Sequence, residues 1–316
     1  MKHLVGKLLP FLFLFVLAVG LGLTTPGFAN PNNIANILRF SSVIVIMGVG
    51  MTFVIVAAGI DLSVGSVLAF SSIIVAWCVQ AGIPLAWSLV IGTATGSAWG
   101  LLNGLLIVLL RLPPFVATLA SMGMARGSAI LLSRWVSGLG TSIEIPDESF
   151  MVIGSGKLFG FAPVPVVIMF VVVALGAYIL NHTRLGRYTF AIGSNIEAAR
   201  YSGVSVGRYT LLVYVLLGTL AGLGGMIEAS INRGGHATLG NGYELQVIAA
   251  VVIGGGSLSG GAGTILGTLT GALIMGVIRN GCILNNLDYE WQLVVISVLI
   301  AAAVAFDTYR RRRSGV

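Results

Sequence analysis

Apolar residues fall in long runs, and polar residues gather between them. The runs are Leu8–Leu23, Val43–Gly59, Val64–Val79, Pro84–Leu110, Phe115–Leu132, Pro163–Leu180, Tyr209–Ile231, Leu245–Ile253, Thr264–Ile278 and Trp291–Phe306. A helix needs about 20 mostly apolar residues to cross a bilayer, and most of these runs approach that length. They predict ten membrane segments. The first follows Lys2 and Lys7, and Gly27-Phe28-Ala29 resembles the cleavage site of a signal peptide. A retained first helix is the simpler reading, because further membrane segments follow. One longer polar stretch, Ser133–Ala162, holds Arg134, Glu144, Asp147, Glu148 and Lys157.

Leu245–Ile253 is too short to span alone. With the next run it flanks Gly254-Gly255-Gly256-Ser257-Leu258-Ser259-Gly260-Gly261. Irregular backbone is tolerated at membrane depth only where protein or a cavity surrounds it. Broken or re-entrant helices are therefore expected here, and eight full spans plus re-entrant pieces is the alternative count.

Composition supports the membrane reading. The 316 residues are 57% apolar and only 9% charged, against about 25% charged in soluble domains. So few charges cannot cover a water-facing surface, which excludes a soluble globule and a disordered chain. The expected fold is an all-α polytopic membrane protein, a single transmembrane domain over residues 1–316.

The net charge of +7 sits in a few loops, the pattern of cytoplasmic loops rather than of a nucleic-acid surface. The stretch 182–208 carries Arg184, Arg187, Arg200 and Arg208 against Glu197, and the C-terminus carries Arg310, Arg311, Arg312 and Arg313. Both are placed in the cytoplasm. Four crossings between them, and six before residue 182, put the N-terminal lysines inside too.

Glycine, at 44 residues, forms two stripes: Gly92, Gly96, Gly100 and Gly104, and Gly263, Gly267 and Gly271. Such stripes let a neighbouring helix approach closely. Asp61-Leu62-Ser63-Val64-Gly65 resembles Ser257-Leu258-Ser259-Gly260-Gly261, and Gly92-Thr93-Ala94-Thr95-Gly96 resembles Gly267-Thr268-Leu269-Thr270-Gly271. An internal duplication is expected from these pairs, which also suggest interrupted segments along a transport route.

Catalytic chemistry is harder to find. The lysines Lys2, Lys7 and Lys157 lack the glycine spacing of a phosphate-binding loop. His3, His182 and His236 are far apart, and Cys78 and Cys282 lie in or beside apolar runs as small apolar residues. No catalytic, cofactor or metal site is expected, so the chain moves something rather than converting it.

Ionisable residues at membrane depth are the next candidates. Asp61 could cap a helix or bind substrate hydroxyls. Glu228, Glu244 and Arg233 read as a solvated rim at the outer mouth. Arg126, inside an apolar run, needs water or a partner. Asn103 and Asn280 suit hydrogen bonds between helices.

Three stretches then carry a resemblance. They are Val49-Gly50-Met51-Thr52-Phe53-Val54-Ile55 with Gly59-Ile60-Asp61-Leu62-Ser63-Val64-Gly65-Ser66, His182-Thr183-Arg184-Leu185-Gly186-Arg187-Tyr188, and Gly242-Tyr243-Glu244-Leu245 leading to Ile248-Ala249-Ala250-Val251-Val252-Ile253-Gly254-Gly255. Together they resemble the membrane permease subunit of bacterial sugar ABC importers of the ribose/xylose/arabinose type, from about Asn30 to Phe306.

The resemblance implies a place in the bacterial inner membrane and a pore formed with a second permease, a copy or a paralogue. It also implies a periplasmic binding protein that delivers the sugar, and ATP and Mg bound on separate ATPase chains rather than on this one. Stretch 182–208 becomes a cytoplasmic coupling loop. Within it, Glu197-Ala198-Ala199-Arg200-Tyr201-Ser202-Gly203 matches the Glu-Ala-Ala, three residues, Gly pattern of the helix on which the ATPase docks. Asn195, Glu197, Ala198, Ala199, Arg200 and Gly203 are the expected docking residues. The Ile-x-Leu-Pro that usually follows is replaced by Val204-Ser205-Val206-Gly207. Asp61, Ser63, Tyr243, Ser257 and Ser259 are candidates for the sugar's path. Permeases for a branched-chain amino acid, a nucleoside or a furanose signal share this coupling logic, and a secondary transporter is the more distant alternative.

Overall fold

The computed structural model describes residues 2–305 except 139, 289, 293, 299–300 and 303–304. Its helices are α1 (Lys2–Thr24), α2 (Pro31–Val56), α3 (Val64–Gln80), α4 (Leu85–Val108), α5 (Pro114–Ser137), α6 (Glu148–Ser155), α7 (Val164–His182), α8 (Arg184–Ser194), α9 (Ile196–Tyr201), α10 (Val206–Ile231), α11 (Tyr243–Ile253) and α12 (Ile265–Leu284). Residues 290–292 and 294–298 are helical as well. The four short strands are β1 (Ser142–Glu144), β2 (Lys157–Leu158), β3 (Ala162–Pro163) and β4 (Gly234–His236). Six helices, α2, α4, α5, α7, α10 and α12, are long and apolar enough to cross a membrane, and α3 and α11 are shorter apolar helices. The all-α polytopic architecture is as expected. Arg310, Arg311, Arg312 and Arg313, on which the C-terminal orientation rests, lie outside the described residues.

Helix α2 is the axis of the molecule. Every residue from 41 to 56 is buried. A helix apolar on all sides belongs in a core, and α10, α12, α7 and α11 pack around this one. The hydropathy run places its start at Val43, but the helix begins at Pro31. Asn30 caps it by accepting from the Asn32 amide at 2.9 Å, with Pro31 in the first turn. The polar turns are helical because they have partners. Asn33 and Asn280 exchange amide hydrogen bonds of 2.9 and 2.8 Å between α2 and α12, the interhelical role expected of Asn280.

The first glycine stripe works as packing. Gly96 and Gly100 face Gly218, Gly222 and Tyr214, so α4 and α10 touch backbone to backbone. A methyl group on Gly96 would lie 2.7 Å from the Gly222 nitrogen, and one on Gly104 would lie 3.1 Å from the Leu211 Cα. Gly92 turns instead to Val75 of α3. In the second stripe, Gly267 and Gly271 press on Gly254 and Ala250 at the end of α11. Gly263 falls just before α12, whose N-cap is Thr264.

The polar stretch after α5 is structured. Strand β1 pairs antiparallel with β4, with Ile143 opposite Gly235. Asp147 caps α6 by accepting from the Ser149 amide at 2.8 Å. Helix α6 then docks on the end of α10, where the Ser230 hydroxyl donates to the Phe150 carbonyl (2.6 Å) and accepts from the Gly154 amide (2.7 Å). Phe150, Met151 and Gly154, at helical spacing behind the Asp147 cap, are the sequence trace of this element.

Gly96→Leu should force α4 away from α10. We expect a loss of about 1–3 kcal/mol or more, as for overpacked cores, read as a lower unfolding midpoint in mild detergent. Gly20→Ala, on an open face of α1, should leave the midpoint unchanged or slightly raised.

Candidate functional site

Both breaks expected in the chain are present, and both reach the same end of the bundle. The first, 57–63, joins α2 to α3. Ala58 turns the chain in a left-handed conformation, φ 60°. The Ile60 carbonyl accepts from the Tyr214 hydroxyl at 3.2 Å. Asp61 is 2% exposed. One of its carboxylate oxygens accepts from the Ser63 amide and the Ser63 hydroxyl, both at 2.7 Å, and the other accepts from the Asn103 side chain at 3.1 Å. Asn103 also donates to the Ser63 hydroxyl at 2.8 Å. Asp61 therefore closes a turn on its own chain and ties it to α4. This is a turn-closing role rather than the expected helix cap, since the N-cap of α3 is Ser63.

Helix α3 starts part-way along α10 rather than at its end, since Gly225 packs on Leu68 in its second turn. Its first turn meets the other interrupted element. Gly65 abuts Gly240 and the Glu244 carboxylate, so α3 and α11 begin against each other. Helix α11 has 11 residues, about 16 Å at 1.5 Å per residue, and cannot cross a bilayer. The chain reaches it through irregular segment 237–242, where Gly240 and Gly242 have φ of 68° and 77°. Arg126 holds this segment by donating to the carbonyls of Ala237 and Leu239, the latter at 2.8 Å. The partner that Arg126 requires is thus non-helical backbone, with Glu244 close enough to act on its charge.

The second break, 254–264, contains Ser257 and Ser259. The Ser257 amide donates to the Ala262 carbonyl at 3.0 Å, and the Ser257 hydroxyl accepts from the Ser259 amide at 3.3 Å. Ser257 is buried and Ser259 exposed. The Gly261 amide donates to the Val56 carbonyl at 2.9 Å, joining this break to the end of α2. Helix α8 closes over the junction. Gly193 sits against the Val56 carbonyl and the Gly261 nitrogen with no room for a side chain, Gly260 touches both Ala58 and Gly193, and Gly261 lies against Ser194.

Helix α9 follows immediately. Asn195 caps it, its side-chain oxygen accepting from the Ala198 amide at 2.9 Å. Gly203 ends it at φ 80°, a backbone state that favours glycine. Glu197 and Arg200 pair at 2.9 Å, both more than half exposed, so the pair contributes little to stability. Ala199 is buried and fixes the helix to the body, whereas Asn195, Glu197, Ala198, Arg200 and Gly203 are exposed. Ile196 and Tyr201 are exposed beside them, Tyr201 at 87%.

At the opposite end of α10, Glu228 is buried, only 6% exposed. It accepts from the Tyr243 hydroxyl at 2.9 Å and from the Asn232 side chain at 3.0 Å, and Arg39 and Arg279 act on its charge. This corrects the reading of Glu228 as a solvated rim residue. It is an interior acid whose partners come from three other helices and the turn after α10. Arg233 is exposed, as a rim residue should be.

The structure therefore divides the path candidates. Asp61 and Ser63 lie in one break and Ser257 and Ser259 in the other, and α8 packs where the second break meets the end of α2. Tyr243 opens α11, whose first turn meets that of α3 at Gly65, and its hydroxyl is bonded to Glu228. The residues missed from sequence are Gly193, Ser194 and Arg39. The two in α8 precede the Glu-Ala-Ala pattern directly, and Arg39 is the one charge in the first half of α2.

Comparison with known proteins identifies this arrangement. Residues 33–304 match the family described as branched-chain amino acid transport system / permease component. The ribose import permease protein RbsC of Bacillus subtilis is 41% identical over 303 residues, covering 95% of this chain and 92% of that protein. RbsC of Escherichia coli K12 is 41% identical over 298 residues, 94% of this chain and 92% of its own. The D-allose transport system permease protein AlsC of the same strain is 36% identical over 298 residues, 94% and 90% of the two chains. No solved structure matches. With a family match over most of its length and relatives this similar end to end, the chain belongs to that family of multi-pass transport-system permeases.

Proposed function

We propose that this chain is the membrane-spanning subunit of an ATP-driven importer that forms the passage for a monosaccharide. The observation that carries the reading is the similarity to ribose import permeases over nearly the whole chain. The sugar arrives on a binding protein in the periplasm. ATP and Mg bind to ATPase subunits that dock on α9 from the cytoplasm, where both termini also lie. Asn195, Glu197, Ala198, Arg200 and Gly203 present the docking surface, and Ala199 anchors it from behind.

The geometry supplies a route for the mechanical step. A push on α9 moves α8, because one residue joins them. Helix α8 bears on the C-terminal end of α2 and on the second break through Gly193 and Ser194, and Gly260 of that break touches Ala58 of the first. A small displacement at the docking helix is thereby delivered to the two segments that interrupt the bundle.

Tagging the chain in its host and extracting it in mild detergent should bring down an ATPase. Reconstituted with that ATPase and the binding protein, it should take up D-ribose or a related sugar only with ATP. Uptake that ignores ATP but collapses with an ion gradient would sink the reading, and ATP-driven uptake of leucine in place of sugars would favour the branched-chain amino acid members of the family.

Glu197→Lys combined with Ala198→Trp should abolish uptake and ATPase recovery with normal protein in the membrane. Normal uptake at normal abundance would remove the docking assignment.

Gly193→Val separates recovery from transport. Its side chain has no space against the Val56 backbone, so overpacking of about 1–3 kcal/mol falls on the α8–break junction. Uptake should drop about tenfold or more while the ATPase still co-purifies.

Asp61→Ala leaves the Ser63 and Asn103 donors without an acceptor, at about 1–3 kcal/mol per buried group. Abundance in the membrane should fall. Asp61→Asn keeps an acceptor for the turn and should retain most uptake per folded molecule; a full-length, abundant but inactive Asp61→Asn protein would restore the substrate-contact role.

A further inference from the structure

One cavity opens at the start of α11. Its volume is about 320 Å³, and its walls are stretch 238–241, Tyr243 and Gln246 on α11, Arg279 on α12, and Gln292 and Ile296 in the helical segment beyond. Part of that wall is the irregular segment leading into α11, which is built to stay open. Gly240 and Gly242 contribute no side chains and adopt left-handed backbone, and Arg126 holds the carbonyls of Ala237 and Leu239 from outside the cavity.

Three primary amides, Asn241, Gln246 and Gln292, are among the lining residues. Each offers two donors and an accepting oxygen, and a sugar hydroxyl both donates and accepts. Gln292 is held in place by its bond to the Leu287 carbonyl at 3.2 Å. Arg279 adds a rigid fork of donors, and the buried Glu228 carboxylate, itself bonded to Tyr243, lies near enough to act on its charge. A bound anion would have to compete with that buried carboxylate, whereas a neutral polyol would not. Leu239, Ile296 and the Tyr243 ring supply apolar surface for the C–H faces of a sugar ring. The volume is at the lower end of the range of about 300–1,000 Å³ seen for small-molecule sites, which suits one ring rather than two.

We infer that this cavity is a binding subsite for one neutral monosaccharide within the permease, with Gln246, Gln292 and Arg279 as its hydrogen-bonding residues. The inference rests on the sugar-import reading and adds a selective site to a passage that could otherwise be a plain aqueous channel. Tyr243, which lines the cavity and is bonded to Glu228, then belongs to this subsite.

The test uses the complete transporter, reconstituted with its ATPase and saturating binding protein, and measures ATP-driven uptake of radiolabelled D-ribose and D-allose. For Gln246→Ala and Gln292→Leu, uptake of at least one of these sugars should fall about tenfold, the effect of one lost hydrogen bond to substrate, and the ratio of the two rates should change. Gln246→Met, which keeps the side chain's length, should behave like Gln246→Ala and provides the reading if the smaller side chain lowers protein yield. Variants that transport both sugars at wild-type rates and ratio overturn the subsite. A proportional fall in both sugars that follows protein yield overturns it too, because that is a structural role. A wild-type transporter that moves neither sugar overturns the sugar-import reading on which the subsite rests.

Discussion

Lipid cannot hydrogen-bond to a peptide group, and the irregular parts of this chain are arranged around that constraint. In helices the requirement is met locally. In the breaks it must be met by neighbours. The Asp61 carboxylate takes the Ser63 amide, the Tyr214 hydroxyl takes the Ile60 carbonyl, and Arg126 takes two carbonyls of the segment entering α11. The Val56 carbonyl, freed where α2 ends, takes the Gly261 amide from the other break. Two of the charged side chains inside the bundle, Asp61 and Arg126, are committed in this way. Their first role is to allow α3 and α11 to begin within the bundle.

That arrangement divides labour along α11. At its C-terminal end, Gly254, Gly267 and Gly271 bring backbones together without intervening side chains, and α8 adds Gly193 to the same knot. Packing of this kind is stiff, because there is no rotamer to adjust when one element moves. At its N-terminal end the surroundings are roomier and polar, with Tyr243, Glu228, Arg279 and a cavity. One rod of about 16 Å thus joins a tightly packed junction to a polar chamber.

The elements differed in how much they showed in advance. The ten apolar runs each correspond to a described helical segment, the last only in part, because hydropathy reports what lipid and core both demand. The glycine stripe on α4 was legible for a related reason: a fourfold glycine repeat has little other use on a helix. The Glu197–Gly203 pattern carried its cap, its stop and its exposure in adjacent residues. Helix α2 was less visible. Its run resembled any other span, and its first three turns looked like a polar loop, since Asn33 and Arg39 are explained only by Asn280, Ser155 and Glu228 far along the chain. Glu228 was misjudged for the same reason: an acid at the end of a helix is a rim residue unless a tyrosine from another helix covers it.

The amino-acid sequence by itself determined what is local: which stretches are long and apolar, where helices stop, where the chain is interrupted, and the short capped helix Ile196–Tyr201. Periodicity, caps and glycine spacing act within a few residues and need no partner to be read. Tertiary structure decided which interruptions meet, which candidate residues are spent on the backbone, and where a cavity remains. Those outcomes depend on contacts between residues as distant as Val56, Gly193 and Gly261, or Glu228, Tyr243 and Arg279, and such pairings exist only once the chain has closed around α2.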